Sequence, residues 1–186
     1  MWRNRYLLMR HGHSQANQAG IIISSPEQGF NGYGLSPNGE EQLAEVVSEW
    51  AWPVPTRIVH SDFLRTTQTA ARVATHFGLP LIVEQGLRER FFGAFDTQPD
   101  TCYAKVWAQD AVSAEHRWQG VEAVSQVAAR MCTVIDGWEA RAQDETILLV
   151  SHGDPLQILL TALAQLPLTQ HRDQLALAPA SITSLD

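Results

Sequence analysis

Short apolar runs alternate along the chain with stretches whose apolar positions recur at helical spacing. Tyr6–Met9, Arg57–His60, Leu81–Val83, Ile147–Val150 and the alternating Ser181–Leu185 have the length and bounding polar residues of strands. After Ser36-Pro37, an N-cap followed by a first-turn proline, Leu43, Val46, Val47 and Trp50 fall on one helix face. A second helix is predicted from Leu64, with Ala70, Ala71, Ala74 and Phe77 inward and a stop at Gly78 before Pro80. A third carries Val124, Ala128, Met131, Ile135 and Trp138, and a fourth begins around Asp154-Pro155. Strands alternating with helices predict an α/β fold, a three-layer α/β/α sandwich around a mostly parallel sheet. With no repeat, linker or low-complexity tract, residues 1–186 are expected to form a single domain. The weakly periodic stretch 85–120 is expected to make a loop-and-helix excursion over the sheet's edge.

Composition narrows the function classes. The 13 basic and 20 acidic residues leave a net charge of −7, and Lys105 is the only lysine. A nucleic-acid face needs clustered positive charge, so nucleic acid is not an expected partner. No apolar run reaches the roughly 20 residues that span a membrane, and Tyr6–Met9 is too short for an export signal. A cytoplasmic protein, monomer or homodimer, with Cys102 and Cys132 reduced, is therefore expected.

Ligands of parallel sheets bind beyond the carboxyl ends of the strands, and there this chain concentrates its unusual residues. Arg10-His11-Gly12-His13-Ser14 follows the first run, with Asn17 close behind; Ser61…Arg65-Thr66 follows the second; Leu87-Arg88-Glu89 follows the third; Ser151-His152-Gly153 follows the fourth. Arg-His-Gly-x-Ser-x-x-Asn, Ser…Arg-Thr…Gln-Thr-Ala, Leu-x-Glu…Gly and Ser-His-Gly occur in this order from about residue 6 to residue 157. In this the chain resembles the histidine phosphatase family, which includes the cofactor-dependent phosphoglycerate mutases.

A phosphate monoester repels nucleophiles, so its site must neutralise charge and align the attack. Arg10 and Arg65 suit this, because a planar guanidinium donates two hydrogen bonds to one phosphate and stays charged. The resemblance implies His11 as nucleophile, His152 as donor to the phosphoryl oxygens, Asn17 and Gly153 as further phosphate contacts, and Glu89 as the acid for the leaving oxygen. Burial would have to raise the pKa of Glu89 against the pull of its sequence neighbours Arg88 and Arg90. Asp62 and Glu84 are weaker candidates for the acid. His60 is expected in the core, and His76, His116 and His171 at surface or helix positions. His11-x-His13 with Asp154 is a distant metal-site alternative; the resemblance implies no metal and no cofactor.

The chain departs from the family at several points. Gly93–Gly120 is short and carries only Lys105 and Arg117, where mutases carry a longer, basic segment. Phe95-Asp96-Thr97 stands where Trp-Glu-Gly is usual, Val121-Glu122-Ala123 where Gly-Glu-Ser is common, and Gln157 where many relatives have arginine. The expected activity is hydrolysis of small phosphate monoesters through a phosphohistidine on His11. A phosphoglycerate-type mutase and a non-catalytic phospholigand-binding domain are the alternatives.

Overall fold

The computed structural model describes residues 1–185. Five strands, β1 (Arg5–Arg10), β2 (Arg57–His60), β3 (Leu81–Val83), β4 (Thr146–Ser151) and β5 (Ile182–Leu185), form one sheet in the order β3-β2-β4-β1-β5. All neighbours pair in parallel except β5, which runs antiparallel to β1. The sheet edge at β1 is thus closed by a strand that needs no crossover helix.

Among the described residues seven α-helices accompany it: α1 (Gln15–Ala19), α2 (Pro26–Gly29), α3 (Pro37–Ser48), α4 (Leu64–Phe77), α5 (Tyr103–Asp110), α6 (Val124–Arg141) and α7 (Gly153–Leu163). The pleat of the central strands sends alternate residues to opposite faces. Leu7, Met9, Ile58, Leu148 and Val150 pack with Leu43 of α3 and Ala70, Val73 and Ala74 of α4. Tyr6, Leu8, Val59, Ile147 and Leu149 pack with Val127, Met131, Ile135 and Trp138 of α6 and Leu156 and Leu159 of α7. These are the three layers that the periodicity predicts. The local signals also act as expected: Ser36 Oγ caps α3 by accepting from Gly39 N–H, and Gly78 ends α4 in the left-handed region at φ 67°.

Gly39 has a further role. A Cβ there would stand 2.0 Å from the carbonyl oxygen of His13, so only glycine lets α3 press against the loop that follows β1. The stretch 85–120 holds α5 and several 3-10 turns, built on a small core of Ile22, Phe92, Val106 and Val121. It is tied back by Asp96, whose Oδ1 accepts from Ser24 N–H, Ser24 Oγ and Ser25 N–H. It carries Tyr103 and Trp107 to a cavity beside Arg10 and Gly153, at the carboxyl ends of β1 and β4. Among the described residues no helix is long and apolar enough to cross a membrane.

Candidate active site

The carboxyl ends of β1, β2 and β4 lie side by side and deliver the site. His11 leaves β1 with its N–H on Ser151 O of β4, and its carbonyl accepts from Ala180 N–H. Its ring is 3% exposed, and Nδ1 lies 2.7 Å from Gly12 O. A carbonyl only accepts, so Nδ1 carries the proton and Nε2 keeps its lone pair. Arg65 Nε donates to that lone pair at 3.2 Å. Burial, then Arg65, then Arg10 push the imidazolium form of His11 well below the usual range. The nitrogen is neutral and aimed.

Two guanidiniums flank it. Arg65, at the first turn of α4, is 4% exposed and donates through Nη2 to Ile23 O at 2.8 Å and to Glu89 Oε2 at 3.3 Å. Arg10 donates through Nη1 to Leu177 O at 2.6 Å. Arg65 Nη1 and Arg10 Nε are buried and, among the described residues, have no protein acceptor. Buried donors without partners are costly, and that of Arg65 belongs to the guanidinium whose Nε meets the His11 lone pair. Gly153 opens α7 where a Cβ would stand 3.2 Å from Arg10 Nε. Glycine at this position lets Arg10 lie close against the start of the helix.

His152, the N-cap of α7, is fully buried, its ring 5.3 Å from that of His11 and 5.2 Å from that of Phe63, centroid to centroid. Its Nε2 lies 2.9 Å from Ser61 Oγ, and its Nδ1 lies 3.7 Å from Glu89 Oε2. Burial, followed by the field of Arg65, holds His152 neutral as well.

Glu89 is drawn inward, with its side chain 9% exposed. Its sequence neighbours are engaged elsewhere: Arg88 pairs with Asp62 at 2.8 Å, and Arg90 with Asp110 at 2.7 Å. A solvated Arg-Glu-Arg cluster is therefore not what forms. Desolvation outweighs the opposing pull of Arg65 and raises the Glu89 carboxyl to about 7, with Asp154 adding to the rise. Asp62 is held by Arg88, and Glu84 caps Gly86 N–H. Neither lines the cavity beside Arg10.

That cavity, of about 130 Å³, is bounded by Arg10, Asn17, Glu89, Tyr103, Trp107, Gly153, Gln157 and Arg172, among others. Asn17 is exposed there, and its Oδ1 accepts from Ser14 N–H, which leaves the amide Nδ2 as the donor it can offer. Tyr103, Trp107 and Arg172 escaped the sequence reading. The spacing of Tyr103 and Trp107, one helical turn apart, was their only signal. Arg172 stacks on Trp107, 3.6 Å from the ring centroid, and donates to Gln157 Oε1. Gln157 is thus met by a guanidinium reaching in from position 172.

His171 lies in the 3-10 turn Leu168–Asp173, one of the helix positions expected, and is fully buried, with Nε2 3.1 Å from Asp154 Oδ1, because Asp154 gathers it together with Arg90. His60 is buried in β2 as expected, and His13 Nδ1 lies 2.6 Å from Ser36 Oγ. Asp154 and His13 are thus committed to different partners. Among the described residues no group of three or more His, Cys, Asp or Glu side chains could hold a metal ion.

Known proteins are similar to this chain in sequence and fold. The chain is 29% identical over 185 residues to a probable phosphoglycerate mutase, GpmB, of Erwinia tasmaniensis, covering 96% of this chain and 83% of that protein. It is 30% identical over 174 residues to a glucosyl-3-phosphoglycerate phosphatase of Mycolicibacterium vanbaalenii, covering 88% and 75%. A solved mycobacterial glucosyl-3-phosphoglycerate phosphatase in complex with VO3 superposes with a TM-score of 0.81 at 27% identity, covering 98% of this chain and 92% of that one. The model of the histidine phosphatase superfamily, branch 1, matches residues 6–186, and the chain belongs to that superfamily.

Proposed function

We propose that this phosphatase acts on small-molecule phosphate monoesters by way of a phosphohistidine on His11. One observation carries the proposal: the His11 Nε2 lone pair is held by a proton fixed on Nδ1, beside buried guanidinium N–H groups that lack protein acceptors. A doubly negative phosphoryl group supplies the acceptors those donors need.

In the first step Nε2 attacks phosphorus as the ester P–O bond breaks. Arg10 and Arg65 take the charge of the phosphoryl oxygens, and Glu89, protonated near neutrality, gives its proton to the leaving oxygen. In the second step the Glu89 carboxylate takes a proton from water, the resulting oxygen attacks phosphorus, and the P–N bond returns its electrons to His11. Asn17 and the N–H groups at the start of α7 near Gly153 add donors to the phosphoryl pocket. Tyr103, Trp107 and Arg172 face the leaving group. The reading extends to one catalytic unit over residues 1–186 that works in the cytoplasm as a monomer or homodimer.

Mixing with labelled substrate followed by rapid quenching tests it. The wild type is expected to yield an acid-labile, alkali-stable phosphoprotein, and His11→Ala none, with phosphate release abolished and cooperative unfolding retained. Undiminished turnover by His11→Ala would remove His11 from the mechanism.

A further inference from the structure

The catalytic reading leaves Ser61 without a task, although its hydroxyl lies 2.9 Å from a ring nitrogen of His152 and its residue is fully buried. Ser61 directly follows β2. Its N–H is bonded to Val150 O of the neighbouring β4, and its carbonyl accepts from Thr66 Oγ1 at 2.8 Å. The hydroxyl therefore sits on a backbone fixed from two sides.

A serine hydroxyl has one proton to donate and two lone pairs. Phe63 N–H approaches one lone pair of Ser61 Oγ at 3.4 Å. Among the described residues the only acceptor recorded for the proton is His152 Nε2. Two arrangements are then open. If Ser61 donates to Nε2, the ring proton is on Nδ1, and that N–H is the single group left without a close partner in the free enzyme. If instead Nε2–H donates to Oγ, both the serine proton and the Nδ1 lone pair are stranded where neither meets solvent. Each buried stranded polar group costs about 1–3 kcal/mol, so the first arrangement prevails. It also suits the chemistry, because Nδ1 lies on the side of Glu89, 3.7 Å from Oε2, in a ring packed edge-on against that of His11. A lone pair there would repel phosphoryl oxygens, whereas an N–H donates to them.

We propose that Ser61 is a positioning residue that donates to His152 Nε2, fixing the His152 ring as its Nδ1–H tautomer so that Nδ1–H serves the phosphoryl group. His11 and His152 then share one tautomer but present opposite atoms to the reaction, a bare Nε2 from His11 and a protonated Nδ1 from His152. This rests on the phosphatase reading for its consequence, though the tautomer itself is open to measurement without turnover.

Long-range proton–nitrogen correlation spectra of histidine-labelled protein, with the His152 signals assigned through His152→Gln, read the tautomer directly. In the wild type the His152 proton is expected on Nδ1. In Ser61→Ala it is expected to move to Nε2 or to exchange between the nitrogens, with kcat falling roughly 10–100-fold, the range that losing a ring-orienting partner costs at metal-bound histidines. Ser61→Thr, which keeps the hydroxyl, is expected to restore the Nδ1–H signature and most of kcat. A wild-type His152 protonated at Nε2 would overturn the proposal, as would Ser61→Ala with an unchanged tautomer. An Nδ1–H tautomer in a protein that turns over no phosphate ester would instead leave the positioning intact and sink the phosphatase reading.

Discussion

At the scale of single residues, the site depends on burial more than on sequence neighbours. Glu89 sits between two arginines along the chain, yet those arginines are spent on Asp62 and Asp110, and desolvation raises its carboxyl to about 7. A proton donor with that value is half deprotonated at pH 7. The kcat/KM for an alkyl phosphate, which needs the proton on its leaving oxygen, is therefore expected to fall as pH rises through about 7. Glu89→Gln is expected to slow an alkyl phosphate by roughly 10²–10⁴-fold and a nitrophenyl phosphate much less, because phenolate leaves unaided. Equal slowing of both esters would make Glu89 an orienting group for Arg65 only. Stability carries the same signature. The folded protein holds the Glu89 proton more tightly than the unfolded chain does, so between the ordinary value of 4.5 and about 7 folding stability drops as pH rises. Glu89→Gln is expected to remove this loss, gaining on the order of 1–3 kcal/mol at pH 8 and little at pH 4 in urea titrations.

At the scale of elements, what fixes the excursion over the site is a buried charge cluster. The Arg90 guanidinium, fully buried, makes a two-pronged contact with Asp110 at the end of α5, at 2.7 and 2.8 Å, and a further one with Asp154 in α7 at 3.2 Å. His116 Nε2 lies 2.6 Å from Asp110, and His171 and Arg172 reach Asp154 from the 168–173 turn. Removing one partner of a buried pair strands the other charge. Asp110→Ala is thus expected to destabilise the fold by about 3 kcal/mol, at the low end for broken buried pairs because Asp154 remains. The KM is expected to rise with it, since α5 carries Tyr103 and Trp107. A loss below about 1 kcal/mol would mean that the apolar core of Ile22, Phe92, Val106 and Val121 suffices to hold α5. This cluster was not legible in the sequence. Strands and the long helices were, because their apolar periods and caps are local: Ser36, Gly78 and the face through Met131 and Trp138 each mark an element within one turn. Asp110, His171 and Arg172 become partners of Arg90 and Asp154 only when chain segments 17 to 64 residues apart come together at α7, and no periodicity records that.

At the scale of the molecule, the proposed phosphate site does not by itself decide between hydrolysis and isomerisation. His11, Arg10, Arg65, Glu89 and His152 were readable because each lies at, or within six residues after, the carboxyl end of a strand and a parallel sheet brings strand ends together, whereas the surroundings of the leaving group come from the excursion and the C-terminal turn. A mutase must keep the phosphorylated histidine from water while the organic part reorients, and it needs cations to hold that part throughout. Here the excursion contributes two aromatic side chains to the cavity, while Lys105 and Arg117 are exposed and do not line it, and Arg88 and Arg90 are engaged by Asp62 and Asp110. Arg172, the nearest substitute, is 30% exposed and shares its Nη1 between Gln157 and Asp154. A released alcohol is therefore held by few contacts, and water can replace it before it turns. With a phosphate ester carrying a neighbouring hydroxyl, such as 3-phosphoglycerate, free phosphate is expected to appear in step with substrate loss, without the positional isomer, even when a bisphosphorylated primer is added. Phosphorus NMR follows substrate, isomer and phosphate in one tube. Isomer accumulating ahead of phosphate would assign the chain to the mutases of its superfamily.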